Sequence, residues 1–288
     1  MPLDTLKMPG VLGPDLGKEL LLALDLSRAA GLETVRVRNG GALGVEMKPG
    51  DEPVTVADRL ASELIVAGLR AVFPDDTVIY EELPSTPDML TRTSRVWLVD
   101  PIDGTKDFIK GTDGFAVMIG LVRDGKPVLG VVHQPTIDRT YFASPGGGAH
   151  VAHAGQIVPL AVSTVGSAAE ARLVASASHR SNAIDDVKRE LGIADEQNVG
   201  SVGIKLCLIA AAARDLYVNP VSKTKVWDTC APEAILAMVG GRLSDLFGTP
   251  IDYHHEMSHT RGLIASNGWI HDEVVGRLAP MFESYRRS

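Results

Sequence analysis

The residues best suited to chemistry lie in one stretch, Arg95 to Thr105, which reads RVWLVDPIDGT. Its apolar part predicts a buried strand, and Asp100 followed by Pro101 ends that run because proline lacks the amide hydrogen of a strand ladder. The carboxylates of Asp100 and Asp103 flank Ile102, whose carbonyl oxygen can converge with them on one point. Oxygen ligands suit hard cations, above all Mg²⁺, which binds through a few carboxylates and a substrate phosphate. An ordinary acidic turn after a strand is the simpler alternative.

Other acidic residues stand at the ends of predicted elements. Glu81 and Glu82 follow a short predicted strand that precedes the central stretch, so the two strand ends indicate a shared site. Thr55 and Asp58 have the spacing of a helix capping box, and Asp228 stands where an N-cap is expected. Both aspartates could therefore simply cap a helix and take no part in chemistry.

Periodicity and turn residues predict an α+β chain. The predicted helices cover 14–30 (ended by Gly31), a segment ending near residue 73, 183–191, 204–213, 226–239 and 273–285. The predicted strands cover 77–80, 96–99, a set of antiparallel strands from 115 to about 160, then 172–176 and 216–219, and residues 262–267 lead into the closing helix. No helical pattern interrupts the antiparallel set, which favours a layered architecture over a simple βαβ repeat. The seam between two halves is predicted near residues 163–170.

Composition excludes several classes of protein. The chain has 288 residues, 45% hydrophobic and 22% charged, so it is long and apolar enough to bury a large core. Its net charge of −8 argues against nucleic-acid binding. Cys207 and Cys230 form no disulfide or zinc pattern, and no leader or membrane span is evident. We expect a cytoplasmic protein, monomeric or homodimeric, with no nucleic-acid or membrane partner.

The motifs together resemble a known superfamily of phosphatases. Glu81-Glu82, the Asp100–Thr105 segment, Trp227-Asp228-x-x-Ala231 and Pro53-Val54-Thr55-x-x-Asp58 are similar to those of the lithium-sensitive, Mg²⁺-dependent phosphatases that include inositol monophosphatase and fructose-1,6-bisphosphatase. The hexapeptide 103–108, DGTKDF, is closer to the DGTKEF of the CysQ-type 3′(2′),5′-bisphosphate nucleotidases than to the DGTTNF of inositol monophosphatases. One departure is Asn219-Pro220, where bacterial members of that branch tend to have an arginine.

The resemblance implies a fold and a set of metal ligands. The fold is a five-layered αβαβα sandwich, with residues 1–162 carrying most metal ligands and residues 163–288 carrying Asp228 and the substrate-binding residues. One metal is held by Glu81, Asp100 and the Ile102 carbonyl. A second is held by Asp100, Asp103 and Asp228. Two or three Mg²⁺ ions are expected, with Li⁺ as an inhibitor.

The resemblance also assigns the remaining roles. Thr105 and Asp58 form the catalytic pair that activates water, and Glu82 stands behind the ligands or helps to hold a third ion. Backbone amides of Gly104 and Thr105, if they begin a helix, bind the scissile phosphate. Ser178, His179 and Lys205 are the expected substrate-binding residues.

The expected reaction is hydrolysis of the 3′-phosphate of 3′-phosphoadenosine 5′-phosphate (PAP) to AMP and phosphate. Two alternatives stay open at this point. One is an inositol or sugar phosphatase of the same superfamily, and the other is a non-catalytic nucleotide-binding regulator on this fold.

Overall fold

A computed structural model describes residues 11–48, 52–178, 180–220 and 224–287, with side chains to residue 283. Its helices are α1 (Gly17–Gly40), α2 (Val56–Val72), α3 (Thr105–Lys110), α4 (Ala183–Leu191), α5 (Val202–Ala210), α6 (Val226–Met238) and α7 (His271–Leu278). Its strands are β1 (Glu46–Lys48), β2 (Glu52–Val54), β3 (Thr77–Tyr80), β4 (Arg95–Asp103), β5 (Ala116–Arg123), β6 (Lys126–Gln134), β7 (Arg139–Ser144), β8 (Gly148–His153), β9 (Gln156–Pro159), β10 (Leu173–Ser176), β11 (Glu196–Val199), β12 (Leu216–Asn219), β13 (Thr224–Lys225), β14 (Arg242–Ser244), β15 (Ser258–His259) and β16 (Leu263–Ser266).

Two large sheets organise these elements. The first has seven strands in the order β3-β4-β5-β6-β7-β8-β9, with β3 parallel to β4 and every later pair antiparallel. The second has five strands in the order β11-β10-β12-β16-β14, and β10 is parallel to both of its neighbours. The predicted antiparallel set after residue 115 is confirmed as β5 to β9.

The sheets and helices stack in five layers. Helices α1 and α2 pack on one face of the seven-stranded sheet through a core that includes Leu24, Ile65 and Trp97. Helices α5 and α6 lie between the two sheets, and α4 and α7 cover the outer face of the second sheet. The expected αβαβα sandwich is confirmed. None of the helices in the described ranges is long and apolar enough to cross a membrane.

The prediction that Gly31 ends the first helix is wrong. Helix α1 continues through Gly31 to Gly40. A Cβ atom at position 31 would lie 2.7 Å from the Cδ2 atom of His133, so this glycine allows the helix to approach β6 closely. Tertiary packing here overrides the weak intrinsic preference of glycine for helix ends.

Strand β4 also differs from the prediction, because it continues through Pro101 to Asp103. Its pairing with β5 changes register between Asp100 and Asp103. The irregularity accommodates the proline, as bulges commonly do. It turns the backbone at the point where the acidic residues lie.

Two glycines let helix α6 lie directly on the seven-stranded sheet. Gly120 on β5 and Gly130 on β6 are register partners. A Cβ atom on Gly120 would lie 2.6 Å from Cys230 Sγ, and one on Gly130 would lie 2.0 Å from the Ala231 carbonyl oxygen. The absence of side chains at this pair therefore sets how closely α6 packs against the sheet.

We predict that Gly130→Ala lowers the free energy of unfolding by roughly 1–3 kcal/mol, because the added methyl group overpacks a backbone contact that cannot move alone. Urea denaturation measures the change. Gly166→Ala is the control, since a Cβ atom there meets no heavy atom within 4 Å. A Gly130→Ala protein as stable as the control would contradict the packing account.

Candidate active site

The parallel strands β3 and β4 bring the first acidic residues together. Carboxyl ends of parallel neighbours meet at the same edge of a sheet. The Glu81 amide, directly after β3, donates a hydrogen bond to the Val99 carbonyl of β4 at 3.2 Å. The Asp100 Oδ1 atom accepts a hydrogen bond from the Ile102 amide at 3.0 Å, which fixes the turn in the acidic segment.

Asp103 reaches across to the second half of the chain. Its Oδ2 atom accepts hydrogen bonds from Ser201 Oγ at 2.5 Å and from the Gly203 amide at 2.7 Å. The Val202 amide donates to its other oxygen at 3.2 Å. These donors form the start of helix α5, so Asp103 links the seven-stranded sheet to α5 as well as facing the site.

Asp228 comes to the same place from helix α6. The prediction that Asp228 is the N-cap is wrong. The N-cap of α6 is Lys225, and Asp228 is the third residue of the helix. Its Oδ2 atom accepts a hydrogen bond from the Lys225 amide at 2.7 Å. Its carboxyl group also hydrogen-bonds that of Asp100 and is repelled by that of Asp103. Asp228 therefore caps helix α6 and also lies close to the other acidic residues.

The pair predicted to be catalytic is also assembled. Asp58 and Thr55 form the expected capping box at the start of α2. The Thr105 hydroxyl lies 3.4 Å from Asp58 Oδ1 and 3.0 Å from the Ile102 carbonyl oxygen. Thr105 begins helix α3 with Gly104 as its N-cap, which meets the condition set for phosphate binding by these two amides.

A group of three carboxylates lies beside this pair. One oxygen from each of Asp58, Glu81 and Glu82 falls within 4.8 Å of the others. The Ser62 hydroxyl donates to Glu82 at 2.6 Å. Ser62 thus fixes the position of the Glu82 carboxylate.

Lys48 enters the site from the β1–β2 hairpin, and sequence reasoning missed it. Its ammonium nitrogen lies 2.9 Å from Glu81 Oε1 and 3.2 Å from Glu82 Oε1. Burial alone would lower the pKa of Lys48, but the two glutamates raise it above its usual value. No local pattern marks this lysine, because its partners lie more than thirty residues away along the chain.

Burial and mutual repulsion dominate the electrostatics of the site. They raise the pKa of Glu81 to about 8 and that of Asp228 to about 7. Burial also raises the pKa of Asp58 to about 6, against the hydrogen bonds from Thr55. The pKa of Asp100 is raised well above its usual value by burial and then by Glu81, Asp103 and Asp228. For Asp103, burial outweighs Lys205 and the α5 donors, so its pKa is also raised.

A cavity of about 410 Å³ opens beside these acids. Glu81, Asp103, Gly104, Thr105 and Asp228 all line it. So do the predicted substrate-binding residues Ser178 and Lys205, whereas His179 lies outside the described residues.

The substrate-binding side of the cavity contains two bonded residues. Ser178 donates to Asp107 Oδ2 at 2.9 Å. The buried Lys205 ammonium donates to the carbonyls of Val199 at 3.2 Å and Gly200 at 2.7 Å. Burial lowers the pKa of Lys205 to about 8, against attraction from Asp103, Asp107 and Asp228.

The donor set fits a hard divalent cation. The acidic groups that converge are carboxylates, and burial together with their mutual repulsion raises the pKa values of Glu81, Asp100 and Asp228, so a bound cation would be favoured here. The Lys48 ammonium already supplies one such charge at Glu81 and Glu82. This acidic cluster can therefore bind metal.

Solved structures of known proteins share this architecture. Thermotoga maritima IMPase superimposes with a TM-score of 0.79 and 28% identity, covering 93% of this chain and 99% of that one. Mycobacterium tuberculosis SuhB has the same fold, with a TM-score of 0.72 and 24% identity over 94% of this chain and 98% of that one. The class is thus a five-layered αβαβα protein of the IMPase type.

Sequence relatives define the family. The Inositol monophosphatase family profile matches residues 18–283. The 3′(2′),5′-bisphosphate nucleotidase CysQ of Escherichia coli K12 is 36% identical over 229 residues, which are 79% of this chain and 91% of that protein. The histidinol-phosphatase of M. tuberculosis is also 36% identical, over 265 residues that are 90% of this chain and 97% of that protein. The chain therefore belongs to the inositol monophosphatase family, in its CysQ branch, and is a phosphoric monoester hydrolase.

We predict that without metal the protein loses stability as pH rises from 6.5 to 8. Acids whose folded pKa is raised bind more protons when folded, so their contribution is present at low pH and is lost as pH rises through the folded pKa. Glu81 and Asp228 titrate in this window. The buried histidines 133, 259 and 271, with folded pKa values of about 4, change stability only below it.

Urea denaturation in EDTA at several pH values measures this slope. Saturating divalent cation should reduce it, since the cation favours the ionised carboxylates of the site. Buried Glu233, whose pKa is raised to about 7 outside this site, keeps its own part of the slope. Asp228→Asn should flatten the slope in EDTA. Equal slopes with and without cation would argue against a metal site at these residues.

Proposed function

We propose that this chain is a Mg²⁺-dependent 3′(2′),5′-bisphosphate nucleotidase that converts PAP to AMP and phosphate. The observation that carries the proposal is the convergence of Glu81, Asp100, Asp103 and Asp228 beside a cavity that also holds two lysines. The CysQ relatives support the choice of substrate. The two reduced, buried cysteines agree with a cytoplasmic protein.

The proposed metal ligands come from both halves of the chain. Glu81, Asp100 and the Ile102 carbonyl would hold one Mg²⁺, and Asp100, Asp103 and Asp228 a second. Residues 1–162 then supply most ligands, while residues 163–288 supply Asp228 and the substrate side. When bound, the ions neutralise the phosphate and lower the pKa of a water molecule. Inhibition by Li⁺ is part of the proposal.

The chain's own residues then position the reaction. The amides of Gly104 and Thr105 orient the scissile phosphate at the start of α3. The Thr105 hydroxyl holds the attacking water, and Asp58 receives its proton through that hydroxyl. The raised pKa of Asp58, about 6, is suited to a group that accepts a proton near neutral pH. Phosphoryl transfer needs little beyond such positioning and charge stabilisation.

A phosphomonoesterase with a different leaving group is the second candidate. The M. tuberculosis histidinol-phosphatase matches a larger share of this chain than the CysQ proteins do. Asn219, in place of the arginine expected of bacterial nucleotidases, lines the cavity and fits this candidate or an inositol or sugar phosphatase. The non-catalytic regulator is not retained, because the curated relatives are enzymes.

Phosphate release from four substrates tests the proposal directly. PAP, histidinol phosphate, inositol 1-phosphate and fructose 1,6-bisphosphate are each assayed with Mg²⁺ and with EDTA. The proposal expects Mg²⁺-dependent release with the highest kcat/KM for PAP. A higher kcat/KM for any other substrate would show that PAP is not the preferred substrate. Phosphate release that persists in EDTA would contradict the metal-dependent mechanism.

We predict that Asp103→Asn abolishes turnover and spares the fold. Asparagine can still accept the Ser201 and Gly203 hydrogen bonds through its carbonyl oxygen, but it lacks the negative charge that a metal ligand needs here. Steady-state assays with PAP and circular dichroism measure the two effects. Asp245→Asn is the matched control, because Asp245 is also buried and caps the Phe247 and Thr249 amides away from the cavity. Full activity in Asp103→Asn would refute the ligand assignment.

A further inference from the structure

The proposed chemistry uses the acidic end of the cavity and leaves another cation on its wall unexplained. Lys106 and Lys205 are the basic residues among the cavity-lining side chains that the structure describes. They differ in what already surrounds each ammonium group, and that difference indicates which of them is available to a ligand.

Lys205 is largely occupied by the protein itself. Its ammonium is buried, donates to two backbone carbonyls and lies 5.3 Å from the centre of the Tyr217 ring. Moving it would remove a donor from the Gly200 carbonyl and one of the two donors, with the Ala177 amide, from the Val199 carbonyl. This lysine therefore holds the segment that leads into α5, and it has limited freedom to follow a substrate.

Lys106 is in the opposite situation. It is half-buried on the cavity wall, next to Thr105 on helix α3. Throughout the described part of the chain, no carboxylate forms an ion pair with it. Its neighbour Asp107 is already bonded on both oxygens, to Thr112 at 2.9 Å and to Ser178 at 2.9 Å. A positive charge thus faces a cavity whose near end is strongly acidic.

We propose that Lys106 binds the second anionic group of the substrate, and so selects bisphosphates over monophosphates. This inference rests on the proposed function, because that function places the scissile phosphate at the carboxylates beside Thr105. A lysine ammonium binds phosphate as a mobile point charge and needs no fixed fork geometry. Ser178 lines the same cavity, but its hydroxyl proton is donated to Asp107, so the phosphate is assigned to Lys106.

Lys106→Gln tests the assignment by comparing two substrates that differ only in the distal phosphate. The variant should raise KM for PAP roughly ten- to a hundredfold, the loss expected for one charge-assisted hydrogen bond, with kcat nearly unchanged. Its kcat/KM for adenosine 3′-phosphate should equal that of the wild-type enzyme. Lys110→Gln is the matched control, because it removes the same charge from the exposed end of α3.

Calorimetry gives a readout independent of turnover. AMP, which keeps the distal phosphate, should bind Lys106→Gln roughly ten- to a hundredfold more weakly than the wild-type protein, whereas adenosine should bind both equally. Equal losses on PAP and adenosine 3′-phosphate, or no loss on either, would overturn the role of Lys106. Wild-type protein that releases no phosphate from PAP would instead refute the proposed function, and this inference with it.

Discussion

The repulsion among buried carboxylates is the constraint on which the rest of the structure depends. Asp100 is affected by Glu81, Asp103, Asp228 and Glu82, and burial removes the water that would screen them. Such a cluster can persist only if protons, cations or hydrogen-bond donors offset the charge. In the protein alone, Lys48 offsets part of it at the two glutamates, and the α5 amides offset part of it at Asp103.

The fold is arranged to hold these acids together in spite of that repulsion. The parallel pair β3–β4 supplies Glu81 and Asp100 from one sheet edge, and the irregularity after Asp100 turns Asp103 toward α5. Helix α6 carries Asp228 into the same space because Gly120 and Gly130 let it lie on the sheet. The site is therefore a product of contact between the two halves. Neither half alone contains all of the acidic residues.

Much of the site was accessible from the sequence, for identifiable reasons. The acids at 81 and 100 each follow an apolar run, and this local pattern predicts their placement at a sheet edge. From the sequence, the helix start at Thr105 was only a condition for phosphate binding, and the structure supplies it. Asp228 is different: its own surroundings indicate only a helix cap, and the resemblance to known phosphatases was needed to bring it to the other acids.

Contacts set by tertiary packing could not be predicted. Lys48 and Ser201 meet their acidic partners across large separations in sequence, and nothing in their own neighbourhoods marks them. Gly31 was misjudged for the same reason, since its role is the close approach to His133 and not the end of a helix. Local sequence patterns indicate secondary-structure propensity. The roles of these three residues depend instead on which surfaces pack together in the folded chain.

Crystallography with Mn²⁺ and inorganic phosphate tests the central claim most directly, because anomalous scattering locates the ions without reference to activity. The account predicts two Mn²⁺ ions about 3.5–4 Å apart, bound by Glu81, Asp100, the Ile102 carbonyl, Asp103 and Asp228. Lys48 should then have moved away from Glu81. Crystals that show no anomalous signal at these carboxylates, with Lys48 still bound to Glu81, would contradict it.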